Sequence, residues 1–104
     1  MKNIRIGSKI IGPGQPVFFI AEAGVNHNGS IKNAKKLVDI AKKSGADAVK
    51  FQSFNTEDII LKKAPKSRYH IETTGNDKKQ SWFQLLKTQE MSFKMHNELF
   101  KYCK

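Results

Sequence analysis

Two charged residues interrupt stretches that otherwise read as buried strands. Glu22 follows the apolar run Val17-Phe18-Phe19-Ile20-Ala21, and Lys50 lies inside Ala48-Val49-Lys50-Phe51-Gln52-Ser53-Phe54. A charge among apolar neighbours is costly unless it is paired or bound to an ion of opposite sign. Side chains alternate across a strand, so Phe18, Ile20 and Glu22 share one face, and Ala48, Lys50 and Gln52 share another. Two chemistries fit. In one, Lys50 forms a structural ion pair with Glu22 across neighbouring strands. In the other, Lys50 is a cation aimed at a substrate phosphate or carboxylate at the mouth of a barrel. Spacing alone leaves both open.

Polar residues continue past Glu22. Asn26-His27-Asn28-Gly29 suits a turn, because Asn and Gly accept positive φ. One His is weak ground for a metal site. His70 and His96 stand at no spacing from it that suggests zinc, and His96 reads as a helix-surface residue. Ser53 and Cys103 have no base at a readable spacing, so no nucleophile is assigned. Lys62-Lys63 and Lys78-Lys79 read as solvated.

These residues need elements to position them. Ile4–Ile6 and Lys9–Ile11 are short β-prone runs joined by Gly7-Ser8, which suits a tight hairpin. Gly12-Pro13-Gly14-Gln15-Pro16 breaks the chain. The unbroken apolar run at 17–21 reads as a strand covered on both faces, as in parallel α/β sheets. Ser30 is the N-cap of a helix whose Ile31, Ala34, Leu37, Val38 and Ala41 recur at helical spacing. Gly45 fits the position after its C-cap. Residues 48–54 then form a second strand. A strand–helix–strand crossover places its strands parallel. Residues 57–61 suggest a helical turn, and 64–76 read as loop. Ser81 caps a short helix from Trp82. Ser92 caps another, with Met95, Leu99 and Cys103 on one face and Tyr102 beside them.

The 104 residues fit one small domain. Hydrophobic residues make up 38% and charged residues 27%, which argues for a soluble globular chain. No apolar run approaches the ~20 residues of a membrane span. The first residues lack the apolar stretch of a secretory signal. The reading is therefore cytoplasmic, with no membrane partner. A single cysteine excludes a disulfide framework within one chain. The net charge of +10 allows a polyanion partner. The lysines are scattered, however, and the aromatic interleaving of an RNA-binding sheet is missing, so no nucleic-acid partner is expected. Two main strands and one crossover cannot cover both faces of a parallel sheet. A complete barrel takes about 250 residues. The pattern thus reads as part of a barrel, with a compact α+β domain built on the hairpin as the alternative.

The string Phe19-Ile20-Ala21-Glu22-Ala23-Gly24-Val25-Asn26-His27-Asn28-Gly29 resembles the first barrel strand and loop of the N-acetylneuraminate synthase family. That family makes sialic, legionaminic and pseudaminic acids. The likeness continues through Gly45-Ala46-Asp47-Ala48-Val49-Lys50-Phe51-Gln52 and Asn55. Ala64-Pro65-Lys66, Tyr69, Thr73-Thr74-Gly75-Asn76, Leu85-Leu86-Lys87 and Tyr102-Cys103-Lys104 resemble the bacterial sialic and legionaminic branch. The resemblance implies an α/β fold, the first part of a TIM (β/α)₈ barrel across residues 1–104. It also implies a C-terminal antifreeze-like domain lying outside them. The implied reaction condenses phosphoenolpyruvate with an N-acetylated aminosugar, either N-acetylmannosamine or a legionaminic-type precursor. Glu22 is then a catalytic base or positioning group, and Lys50 meets the phosphoenolpyruvate anion. Gln52 contacts the same ligand or orients Lys50, and Asn76 hydrogen-bonds substrate. His27 receives no role. A divalent Mn²⁺ or Mg²⁺ and a homodimer are implied, with metal ligands in later strands that this chain lacks. The expectation is an inactive portion of a synthase. Two competing readings are a small basic polyanion-binding protein and a related phosphoenolpyruvate-dependent sugar-phosphate synthase. The first would lose binding steeply with salt, and the second would require a sugar phosphate.

Overall fold

The computed structural model describes residues 2–74 and 80–104. In chain order these form β1 (Ile4–Ile6), β2 (Lys9–Ile11), β3 (Ile20–Gly24), α1 (Ile31–Lys43), β4 (Ala48–Phe51), α2 (Thr56–Ile59), α3 (Arg68–Thr74), α4 (Trp82–Thr88) and α5 (Phe93–Cys103). β1 and β2 make the expected antiparallel hairpin, with Ile6 opposite Lys9 across Gly7-Ser8. β3 and β4 pair in parallel, connected through α1.

Both ends of α1 are fixed by local hydrogen bonds. The Ser30 hydroxyl accepts from the Asn33 amide at 3.2 Å, satisfying one of the orphan donors of the first turn. At the far end the Gly45 amide donates to the Lys42 carbonyl and the Ala46 amide to the Ala41 carbonyl, both at 3.1 Å. These two bonds form a Schellman closure. Lys42 and Lys43 in the last turn complement the helix dipole. Ala34, Val38 and Ala41 are buried as the spacing predicts.

β3 starts three residues later than the apolar run suggests. Its ladder begins at Ile20 opposite Ala48, because β4 offers no partner before that point. Phe19 is satisfied differently. Its carbonyl accepts from the Asp47 and Ala48 amides at 2.9 and 3.1 Å, and its amide donates to Asp47 Oδ2 at 2.9 Å. The Phe19 amide, with Lys9 second, holds the Asp47 carboxyl below the usual carboxylate range. Lys9 pairs with Asp47 at 3.2 Å, which ties the hairpin to the parallel sheet. β4 also ends early, at Phe51 rather than Phe54, because β3 stops at Gly24.

Coverage of the sheet differs from the expectation. Val49 and Phe51 pack against a cluster of Ala34, Val38, Met91 and Leu99, so α1 and α5 cover one face. The other face carries Ile20, Glu22 and Lys50. Ile20 is 58% exposed there, so among the described residues β3 is covered on one side only. α5 is capped by the Ser92 hydroxyl, which accepts from the Met95 amide. It joins α1 through Lys35 to Glu98 at 2.6 Å and through the Tyr102 hydroxyl, which donates to Asp39 at 2.7 Å.

The described residues after β4 hold more helix than a loop would. α2 matches the expected helical turn. α3 stands where the composition suggested loop. Its first turn is supported by the Ser67 hydroxyl, which accepts from the His70 amide at 3.3 Å. Arg68 and Glu72 form an i,i+4 pair at 3.1 Å, a modest helix-stabilising contact. α4 has the capping box of Ser81 and Gln84, which satisfies two backbone donors reciprocally.

Candidate functional site

Glu22 and Lys50 are direct ladder neighbours near the C-terminal ends of β3 and β4. Lys50 Nζ lies 2.5 Å from Glu22 Oε2, with the two side chains 62% and 49% exposed. The structural ion pair is therefore formed, and it remains open to solvent. Gln52 follows at the end of β4, its amide donating to the Gly24 carbonyl at 3.4 Å.

Between Glu22 and Gly24 the register slips, so that Gly24 rather than Ala23 stands opposite Phe51. Such a bulge re-aims side chains at a sheet's end. Gly24 has φ +55°, and a methyl group built on it would lie 3.3 Å from Glu22 Oε1 and 3.7 Å from Gln52 Nε2. Glu22, Lys50 and Gln52 are thus brought together on the open face. Asn76, the fourth expected site residue, lies outside the described residues.

The signature loop is organised around His27, which is fully buried. Its Nδ1 accepts from the Gly29 amide at 2.8 Å, and its carbonyl accepts from the Ser30 amide at 3.0 Å. An accepting Nδ1 means that Nε2 carries the proton of the neutral ring. Burial first, and His96 second, push the His27 pKa below its ordinary value. The ring rests 6.1 Å from that of Phe51, centroid to centroid. His27 therefore locks the loop. His96 corrects an expectation, because it is half-buried and its Nε2 is enclosed.

Two further features of the site had no sequence signal. Gly29, at φ +77°, sits against α4 so closely that a methyl there would lie 2.5 Å from the Thr88 carbonyl oxygen. Glu90 Oε1 accepts from the Thr56 amide at 2.7 Å and pairs with Lys87 at 3.3 Å. Thr56 first, and then Lys87, hold the Glu90 carboxyl below its usual range. This contact spans 34 residues and anchors the start of α2, just beyond β4. Among the described residues no three His, Cys, Asp or Glu side chains group as metal ligands. The described residues therefore do not by themselves fit a divalent ion.

A groove of about 720 Å³ runs along β4, with Val49, Lys50, Phe51, Leu99 and Phe100 in its lining. It is a mainly apolar slot on the helix side. The converging polar groups lie on the open face, and that face is the better candidate site.

Residues 37–104 match the NeuB family. The chain belongs to that family. N,N'-diacetyllegionaminic acid synthase of Campylobacter jejuni is 51% identical over 85 residues, which are 82% of this chain and 25% of that protein. An uncharacterized protein of Methanocaldococcus jannaschii is 43% identical over 103 residues, 99% of this chain and 26% of that one. Among solved structures, the N-acetylneuraminic acid synthetase of Leptospira borgpetersenii in complex with citrate superposes with a TM-score of 0.75 at 29% identity. The match covers 98% of this chain and 30% of that one. The NeuB-family chain spans about a quarter of the length of these curated relatives. The family expected from the signature string is the one found, and the α/β fold is shared with the solved synthetase.

Proposed function

We propose that this NeuB-family chain supplies the phosphoenolpyruvate-facing strand ends of a nonulosonic acid synthase, with β3–α1–β4 as the start of a (β/α)₈ barrel. The proposed reaction joins phosphoenolpyruvate to an N-acetylated aminosugar such as N-acetylmannosamine or a legionaminic-type precursor. C3 of the enol attacks the sugar's open-chain aldehyde, water adds at C2, and phosphate leaves by C–O cleavage. Lys50 holds the phosphoenolpyruvate anion. Gln52 orients that ligand or Lys50. Glu22 positions water or a sugar hydroxyl and accepts a proton. Asn76 adds a hydrogen bond to substrate.

One observation carries this reading. Lys50 and Glu22 meet at 2.5 Å near the C-terminal ends of two parallel strands, half-open to solvent. Ligand sites of parallel α/β folds lie at that end. An exposed ion pair contributes between nothing and about 1 kcal/mol, so a multiply charged anion can displace Glu22 from Lys50 at little cost. The relatives named as sialic and legionaminic acid synthases favour this chemistry over a generic polyanion site.

The test is phosphoenolpyruvate binding to the chain by calorimetry. Lys50→Met is expected to weaken binding by about tenfold or more, the worth of a hydrogen bond to a charged group. Lys36→Met, on the exposed side of α1, is expected to leave it unchanged. Equal losses in the two variants would mean diffuse charge attraction, and the reading would fail.

A further inference from the structure

We infer that Gly24 is a positioning residue for the Glu22–Lys50–Gln52 group, an inference that rests on the function proposed for those side chains. Glu22 uses its two oxygens differently. Oε2 meets Lys50, while Oε1 folds back over Gly24, in the space a Cβ would crowd. Gln52 Nε2 lies 3.7 Å from the same point, an ordinary contact distance. Glu22 Oε1 therefore occupies space that is open because residue 24 has no side chain, with Gln52 Nε2 beside it.

The bulge explains why the opening falls there. With the register slipped between Glu22 and Gly24, the backbone of Gly24 turns through φ +55°. That conformation is costly for most residues and free for glycine. A side chain at 24 would carry two separable penalties. One is backbone strain, which Asn tolerates better than Ala. The other is contact with Glu22 Oε1, which any Cβ makes. Glu22 is flexible at its end, so the contact moves the carboxylate by a few tenths of an ångström and leaves the fold in place. Its grip on Lys50 then changes. Gly24 touches no reacting atom in this scheme and acts through Glu22.

The experiment uses the full 104-residue chain labelled with ¹³C and ¹⁵N. The Glu22 carboxyl carbon and the Lys50 side-chain nitrogen are recorded at one pH for wild type, Gly24→Ala and Gly24→Asn. Both variants are expected to keep the amide spectrum of α1 and α5 and to shift the Glu22 and Lys50 signals. Phosphoenolpyruvate binding is expected to weaken by roughly three- to tenfold, less than the loss of the charged hydrogen bond itself. Unmoved Glu22 and Lys50 signals in both variants would overturn the inference. So would recovery of wild-type signals in Gly24→Asn alone, because strain would then be the whole effect. Collapse of the amide spectrum in both would make Gly24 a requirement of folding only, again overturning it. If wild type binds no phosphoenolpyruvate while both variants still displace Glu22 and Lys50, the positioning role stands and the proposed function falls.

Discussion

Buried and exposed titratable groups near the signature loop obey different rules. The Glu22–Lys50 pair is half in water, so the fold depends on it little and ligand exchange at Lys50 is cheap. His27 is fully enclosed, and protonating it would break the bond from the Gly29 amide to Nδ1 and place a charge beside His96. Its folded pKa is accordingly depressed below 6.5, by burial first. In the unfolded chain the ring takes its proton near that ordinary value. Just below it the unfolded state binds more protons, so stability is intact above about pH 6.5 and falls as pH drops toward the depressed folded value. Urea denaturation from about pH 7.5 to pH 5 is expected to show this loss, and His27→Gln, whose amide oxygen can accept from Gly29 without titrating, is expected to flatten it. Identical pH slopes in the two proteins would refute the assignment. The alternation of side chains placed Glu22, and Lys50 with Gln52, on strand faces that can converge. It could not decide between ion pair and ligand site, because both use the same geometry. The burial of His27 was not legible at all. It depends on Phe51, 24 positions later in the chain, and on helices beyond it.

Elements met their expected positions where the signals were local. The caps at Ser30, Ser81 and Ser92 and the closure at Gly45 are read within a few residues, and each appears as expected. Strand bounds were missed because a strand extends only as far as its partner, and Asp47 replaces the ladder at Phe19. α3 was missed because its support, Ser67 with His70 and Arg68 with Glu72, resembles ordinary loop polarity. The junction of the signature loop with α4 is the most demanding contact between elements. A Cβ on Gly29 would meet backbone, the Thr88 carbonyl at 2.5 Å, and backbone cannot rotate away as a side-chain end can. Gly29→Ala is therefore expected to cost the ~1–2 kcal/mol of the left-handed conformation and a further displacement of α4. Thermal unfolding would read the first cost, and weaker hydrogen-exchange protection in residues 82–88 the second. An Ala variant with wild-type melting and unchanged protection would show that loop and helix are not in fact pressed together.

At the scale of the whole chain, extension and exposed apolar surface go together. The radius of gyration is 17.0 Å, against about 13 Å for a compact domain of 100 residues. Val17, Phe19 and Ile20 are 72%, 63% and 58% exposed. β3 and β4 pair only with each other among the described residues, so each has a free edge able to pair with another strand. Apolar surface beside unpaired edges favours association. The 104 residues expressed alone are expected to self-associate, with a sedimentation coefficient that rises with concentration. Phe19→Lys with Ile20→Lys is expected to lower that tendency while keeping the helical circular-dichroism signal, because both side chains are mainly in solvent. The same open face is where Glu22 and Lys50 lie, and one face of a two-stranded sheet cannot exclude water from a reacting enol. These residues by themselves are thus expected to bind phosphoenolpyruvate without turning it over, read as phosphate release with N-acetylmannosamine present. A monodisperse monomer at every concentration would contradict the first expectation. Steady phosphate release abolished by Lys50→Met would contradict the second, and would mean that two strand ends suffice for the chemistry.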